Sequence, residues 1–344
     1  MIIKEFRELR RDRRTMAMLL VLPILLLVIF GYAANFSVDS ITTAALGPQA
    51  AVVAANLPDF FDVTEIDPQG AASVAKMLIQ DNVVDVAVDT TRQPPTAYVD
   101  GSSLFTAQAA VSVLGRLGDG ITVNVLYNPD LITAWVMVPA LTGLILMFIG
   151  TVVTSIGLVR ERENGTLEQL AVMPLSPTSV VFGKITPYFI LASLDMVVVT
   201  VLGVVLFDVP FNGNPGLFAL GAALFLLVVL GIGVFISTVS QTTGQAIQLA
   251  FFFLLPQILL SGMIFPLEAI PWGVRWISYL LPLTYYTMIA QGVMLRGADL
   301  ASLWAPFLIL SVMAVLAFGG ATLRFRRDLA PESPATPSRP GVDA

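Results

Sequence analysis

Leu158–Tyr188 reads LVRERENGTLEQLAVMPLSPTSVVFGKITPY. A charged, proline-punctuated segment is set here between two apolar runs, each long enough to cross a bilayer. Thr166-Leu167-Glu168-Gln169 has the form of a capping box, in which the Thr166 hydroxyl accepts from the Gln169 backbone N–H and the Gln169 side chain reaches back. Pro174 ends the helix so begun, and Pro177 is suited to the first position of the next one. Leu167, Leu170 and Ala171 share one face, flanked by Glu161, Glu163 and Glu168. The pattern predicts a short helix lying along the membrane edge. It is either an amphipathic linker or an element through which a soluble partner transmits motion.

Composition supports this setting. The chain has 344 residues, of which 56% are hydrophobic and only 12% charged, with a mean hydropathy of +0.83. Soluble domains carry about 25% charged residues, so this is an integral membrane protein. Cysteine and histidine are both absent, which excludes disulfides, thiol nucleophiles, histidine bases and the usual zinc sites.

A span requires about 20 apolar residues. Six runs qualify: Met16–Ala34, Trp135–Val159, Val180–Phe207, Leu217–Ser237, Ala246–Phe265 and Leu303–Leu323. Met1–Arg14 carries six basic and three acidic residues, whereas Asp39–Asp130 carries three basic and eleven acidic ones. The excess of positive charge predicts a cytoplasmic amino terminus, with residues 1–15 as an amphipathic helix in the headgroup plane. Arg324, Arg326 and Arg327 predict that the far end is cytoplasmic too. Segment 161–174 then lies inside and residues 36–130 outside, in a plasma-membrane protein with both termini in the cytosol. Residues 328–344, rich in proline, are expected to be a disordered tail.

Residues 267–292 are apolar enough to suggest another span, but contain Glu268, Pro271, Arg275 and Pro282. They are expected to form two short helices that enter the outer leaflet and return, or else a surface hairpin. Trp272, Trp276, Tyr279, Tyr285 and Tyr286 suit an interfacial aromatic belt. In the outer segment, Val63–Ile66, Val84–Val88, Thr96–Val99 and Val123–Leu126 read as strands. Ala71–Ile79 and Phe105–Leu117 have helical spacing. Together they predict a small α/β domain.

Three further features stand out within the spans. Gly143, Gly150 and Gly157 recur every seven residues, which returns a helix to within about 20° of one face. This smooth stripe permits close packing either within one subunit or across an interface, with Thr151, Thr154 and Ser155 nearby. Asp195 is an acid deep in a span, either a functional carboxylate or a hydrogen-bonded structural group. No phosphate-binding loop accompanies Gly183-Lys184, because Thr178 stands where the first glycine is required and Ile185 where Ser or Thr is. Any nucleotide must therefore be bound by another chain.

The chain resembles the permease subunits of type-two ABC exporters, in the version with a large extracytoplasmic domain. The likeness runs over about residues 4–328. It rests on Lys4–Asp12, Tyr127-Asn128-Pro129, Val138-Pro139, Arg160–Leu170 with Pro174-Leu175-Ser176, Phe207–Phe211, Leu260–Pro266 and Trp276–Tyr285. Ala140 departs from the glycine frequent after that proline. The resemblance implies an all-α membrane protein of six transmembrane helices with a re-entrant helical hairpin, and an α/β domain inserted between spans one and two. It also implies a non-enzymatic subunit that binds no cofactor, with ATP and magnesium held by partner ATPases.

In that arrangement two permeases, identical or sister chains, assemble with two cytoplasmic ATPase subunits, in contact with membrane lipid and with no nucleic acid. Glu161, Glu163, Gly165, Thr166, Leu167, Glu168, Gln169, Leu170 and Pro174 would form the coupling helix. Gly143, Gly150, Thr154 and Gly157 of the second span, with Gln248 and Gln257 of the fifth, would line the interface or pathway. The cargo implied is an amphiphile such as a drug, lipid or glycan. A membrane scaffold or sensor with a ligand-binding outer domain, and a proton-coupled transporter, are the competing functions. The lack of a charge in another span to partner Asp195 weighs against the transporter.

Overall fold

A computed structural model describes residues 38, 40–117, 120–164 and 177–328. The expected amphipathic helix over 1–15, the span over 16–34, the coupling residues from Gly165 to Pro174 and the tail beyond 328 all lie outside these residues.

The first half of the described chain forms a five-stranded mixed sheet. Its strands are β1 (Ile41–Leu46), β2 (Phe61–Asp67), β3 (Val86–Asp89), β4 (Thr96–Asp100) and β5 (Thr122–Leu126), in the order β2-β1-β3-β4-β5. β1 lies parallel to β2 and β3, β4 runs antiparallel to β3, and β5 is parallel to β4. Alternate residues supply two cores, as the two-residue period of a strand requires. Ile41, Val86, Val88, Ala97 and Val99 pack under α1 (Ala50–Asn56) and α3 (Leu104–Arg116). Ala44, Leu46, Ala87 and Tyr98 pack against α2 (Ala72–Gln80) on the opposite face.

The remainder is helical: α4 (Thr133–Glu163), α5 (Pro177–Phe207), α6 (Pro215–Val239), α7 (Thr243–Leu260), α8 (Trp272–Ser278), α9 (Pro282–Gln291) and α10 (Trp304–Asp328). Among the described residues, five helices are long and apolar enough to cross a membrane: α4, α5, α6, α7 and α10. Their common core surrounds α6, whose Phe225 ring stacks on Tyr286 of α9 at 4.6 Å. α5 and α10 turn apolar side chains such as Leu194, Val205, Val315 and Leu316 outward, as lipid-facing helices do.

Residues 267–292 form a short 3-10 turn followed by α8 and α9, joined through Tyr279–Leu281. The expected aromatic belt divides here. Trp272 is 88% exposed and Trp276 and Tyr279 are also exposed, but Tyr285 and Tyr286 are buried. Those two tyrosines belong to the bundle core because α9 packs among α4, α6 and α10. The Tyr286 hydroxyl meets Thr142 Oγ1 at 2.8 Å, so its polar end is satisfied without water.

Candidate functional site

Helix α4 runs from the sheet domain to the charged stretch Arg160–Glu163. Its 31 residues span about 46 Å at the α-helical rise, well beyond the hydrocarbon thickness of about 30 Å. One end leaves the sheet through a fixed corner. Asn128, fully buried, accepts from the Ile132 N–H at 2.8 Å and donates to the Ile132 carbonyl at 3.1 Å. The other end carries Arg160, Glu161 and Glu163 past the apolar stretch.

At this second end Glu163 closes onto the start of α7. Its carboxylate accepts from the Thr243 backbone N–H and from the Thr243 hydroxyl, both at 2.8 Å. The N–H is an unpaired donor of the first helical turn, where negative charge is favoured. That bond first, and the hydroxyl second, hold the Glu163 carboxyl below the usual carboxylate range. The residue expected to contact a partner therefore also ties α4 to α7, directly beside the segment that follows. Of the other coupling residues, Glu161 lies one turn's fraction earlier on the same helix, and Gly165–Pro174 are outside the described residues.

The glycine stripe turns inward. A Cβ on Gly143 would collide with the Tyr286 ring, one on Gly150 would lie 2.7 Å from Val229, and one on Gly157 would strike the Tyr188 hydroxyl. All three contacts are to helices of the same chain; a rigid ring stands against Gly143 and a branched valine against Gly150, whereas at Gly157 the obstacle is the far end of the Tyr188 side chain. Thr154 is likewise buried, against Gly233 of α6. The two glutamines separate. Gln248 is exposed, whereas Gln257 is fully buried and accepts from the Leu283 N–H at the start of α9 at 3.3 Å. Asp195 sits half-buried on α5, beside outward-facing Leu191, Leu194 and Val198.

The most elaborate polar site was not singled out from the sequence. Arg296, 8% exposed, reaches from the bundle into the sheet domain. Its Nη1 donates to Asn82 Oδ1 at 2.7 Å and to Ser102 Oγ at 3.3 Å, and lies 3.5 Å from Asp100 Oδ2. Asp100 is itself 1% exposed, and its other oxygen accepts from the Ser102 N–H and hydroxyl. Gln80 donates to the carbonyls of Arg296 and Gly297 at 3.3 Å, and the Ser302 hydroxyl donates to Asp81. Gly297 has φ of +62°, a left-handed conformation that glycine adopts at little cost. Nearby, burial and then the Asp100 charge push the Tyr127 hydroxyl up to about 12, against the opposing pull of Arg296. The sequence signal was a lone arginine followed by glycine after the apolar run Val293-Met294-Leu295.

With this geometry in view, likeness to known proteins is specific. The pattern of the family described as "ABC-2 family transporter protein" matches residues 13–323. The chain is 29% identical to the "Probable multidrug ABC transporter permease YbhR" of Escherichia coli (strain K12), across 95% of this chain and 97% of that protein. It is 29% identical to "Probable multidrug ABC transporter permease YbhS" of the same strain, across 95% and 96% respectively. "Inner membrane transport permease YhhJ" from that strain is 36% identical over 59% of this chain and 54% of its own length.

Proposed function

Because the chain belongs to the ABC-2 transporter family and is the transmembrane permease subunit of an ATP-binding cassette exporter, we propose how its two ends divide the work. The sheet domain faces the cell exterior, and the Arg160–Glu163 end of α4 faces the cytosol. Two copies, or this chain and a sister permease, assemble with two cytoplasmic ATPases in the inner membrane. Each ATPase grips residues 161–174. Closure of the ATPases on ATP and magnesium moves that segment, and Glu163 carries the motion to α7 through Thr243. The span over 16–34 completes six crossings, and α8 with α9 closes the outer end of the pathway. The cargo is an amphiphile, in keeping with the multidrug naming of the two long relatives.

The observation that carries this reading is the helix α4 itself. It starts at the sheet domain, exceeds the bilayer thickness, and ends in the charged stretch Arg160–Glu163. The test is functional reconstitution. The purified chain is expected to show no ATPase activity, and vanadate-sensitive activity is expected once its ATPase is added. A photoreactive group at Glu168 or Gln169 is expected to trap that ATPase in intact cells. Failure to trap it, or an epitope at position 168 reached from outside, would remove the coupling assignment.

A further inference from the structure

Asp195 lies within the apolar span Ile185–Phe207 of α5, ten residues from one end and twelve from the other. At the helical rise these are about 15 Å and 18 Å, which sets it near the middle of a bilayer core about 30 Å thick. A carboxylate at that depth is costly unless something pairs with it. Among the described residues Asp195 has no hydrogen-bond or ion-pair partner, so it is not a hydrogen-bonded structural group of the bundle. It is only half-buried, and its oxygens are not sealed in the interior. A ligand can therefore reach them.

The spans hold no counter-ion. Lysine and arginine are absent from 16–34, 133–159, 185–207, 215–239, 243–260 and 304–323. Lys184, the nearest cation along α5, is eleven residues away, about 16 Å along the helix. A second copy of this chain would bring the same uncharged spans. Tyr188, seven residues before Asp195, shares nearly the same face of α5, and its hydroxyl stands against Gly157 of α4. Asp195 thus borders α4. The side chains beside it, Leu191, Leu194, Val198 and Leu202, are exposed, as they are on a lipid-facing surface.

We propose that Asp195 binds the charged centre of a lipophilic organic cation that arrives through the bilayer at the α4–α5 border. The carboxylate sets the sign of the ligand, and attraction between opposite charges is stronger here than in water. The apolar flank sets the rest. A small hydrated ion would leave water with one carboxylate to replace its shell, whereas a lipophilic cation carries apolar groups that Leu191, Leu194 and Leu202 can cover. Cationic amphiphiles are thereby the cargo class. That step rests on the export reading above, but binding itself needs no ATPase.

The full chain in lipid nanodiscs, without its ATPase, is titrated with radiolabelled tetraphenylphosphonium, and uptake by empty nanodiscs is subtracted. Saturable binding is expected. Unlabelled tetraphenylarsonium should compete, while neutral triphenylphosphine oxide at equal concentration and excess sodium chloride should not. Asp195→Asn is expected to weaken binding about tenfold or more, and Asp195→Glu to retain it. Leu191→Lys, which sets a cation one turn from Asp195, is expected to abolish binding with the carboxylate still in place. It decides the matter if the asparagine variant fails to insert.

No saturable binding, or binding unchanged by the asparagine and lysine variants, overturns the proposal. Equal competition by triphenylphosphine oxide overturns the charge requirement, and displacement by sodium assigns the carboxylate to a small cation instead. Binding through Asp195 without ATP-driven efflux of tetraphenylphosphonium from vesicles that hold the ATPase breaks the export reading alone. Efflux with binding indifferent to position 195 breaks this proposal alone.

Discussion

At its Thr133 end helix α4 joins a domain fixed by a buried ion pair, whereas at its Glu163 end it is tied to α7 through an exposed carboxylate. Both contacts join segments far apart in the chain, and both use charge, yet their energetics differ. Arg296 and Asp100 are removed from water, so neither can lose its partner cheaply. Glu163 is open to solvent, where water competes with every hydrogen bond and ions screen the charge. One joint is built to stay closed. The other, exposed to water, is the weaker of the two.

The sharpest way to break this contrast is Arg296→Met. It strands Asp100 in the interior and is expected to lower stability by about 3–5 kcal/mol, read as a fall in the thermal unfolding midpoint of the purified permease. A change below about 1 kcal/mol would mean that the junction is not a fixed joint. Gly150→Leu tests the bundle between the two ends. Its Cβ alone would lie 2.7 Å from Val229, and overpacking of that kind costs about 1–3 kcal/mol. The loss should appear in the isolated chain. A loss seen only on assembly with a second permease would place the stripe at an interface instead.

Glu163→Gln should have the smallest effect on the unfolding midpoint and the clearest effect on coupling, with ATP hydrolysis persisting as export falls. Its pH signature has a defined sign. A carboxyl held low in the folded state contributes at pH above its ordinary value of 4.5 and loses that contribution as pH falls through the depressed value. The gap between wild type and E163Q should therefore be present at pH 7 and close on acidification. A gap that widens instead would refute the Thr243 tie.

Much of this was legible in the sequence because it is local. Strands β2 to β5 announce themselves through β-branched residues, and α2 and α3 through the spacing of their apolar positions. Strand β1, Ile41-Thr42-Thr43-Ala44-Ala45-Leu46, is less apparent. Its paired alanines favour helix on propensity, and only the neighbouring strands on both sides make it extended. The inward turn of the glycine stripe was equally hidden, since a seven-residue period gives a face without saying what meets it. Tyr285 and Tyr286 read as interfacial residues because a tyrosine has one wet end, and Thr142, which satisfies that end of Tyr286, is 144 positions away. Arg296 depends on Asp100 in the same manner. Such long-range pairs have no period to betray them.

Gly143 and Tyr286 make one further point about how this sequence can vary. The ring fills the volume that any side chain at 143 would need, so the two positions amount to a single choice written twice in the chain. Adding even a methyl at the first would demand trimming the second in the same step, and a redesign that treats them separately would pass through a misfit intermediate.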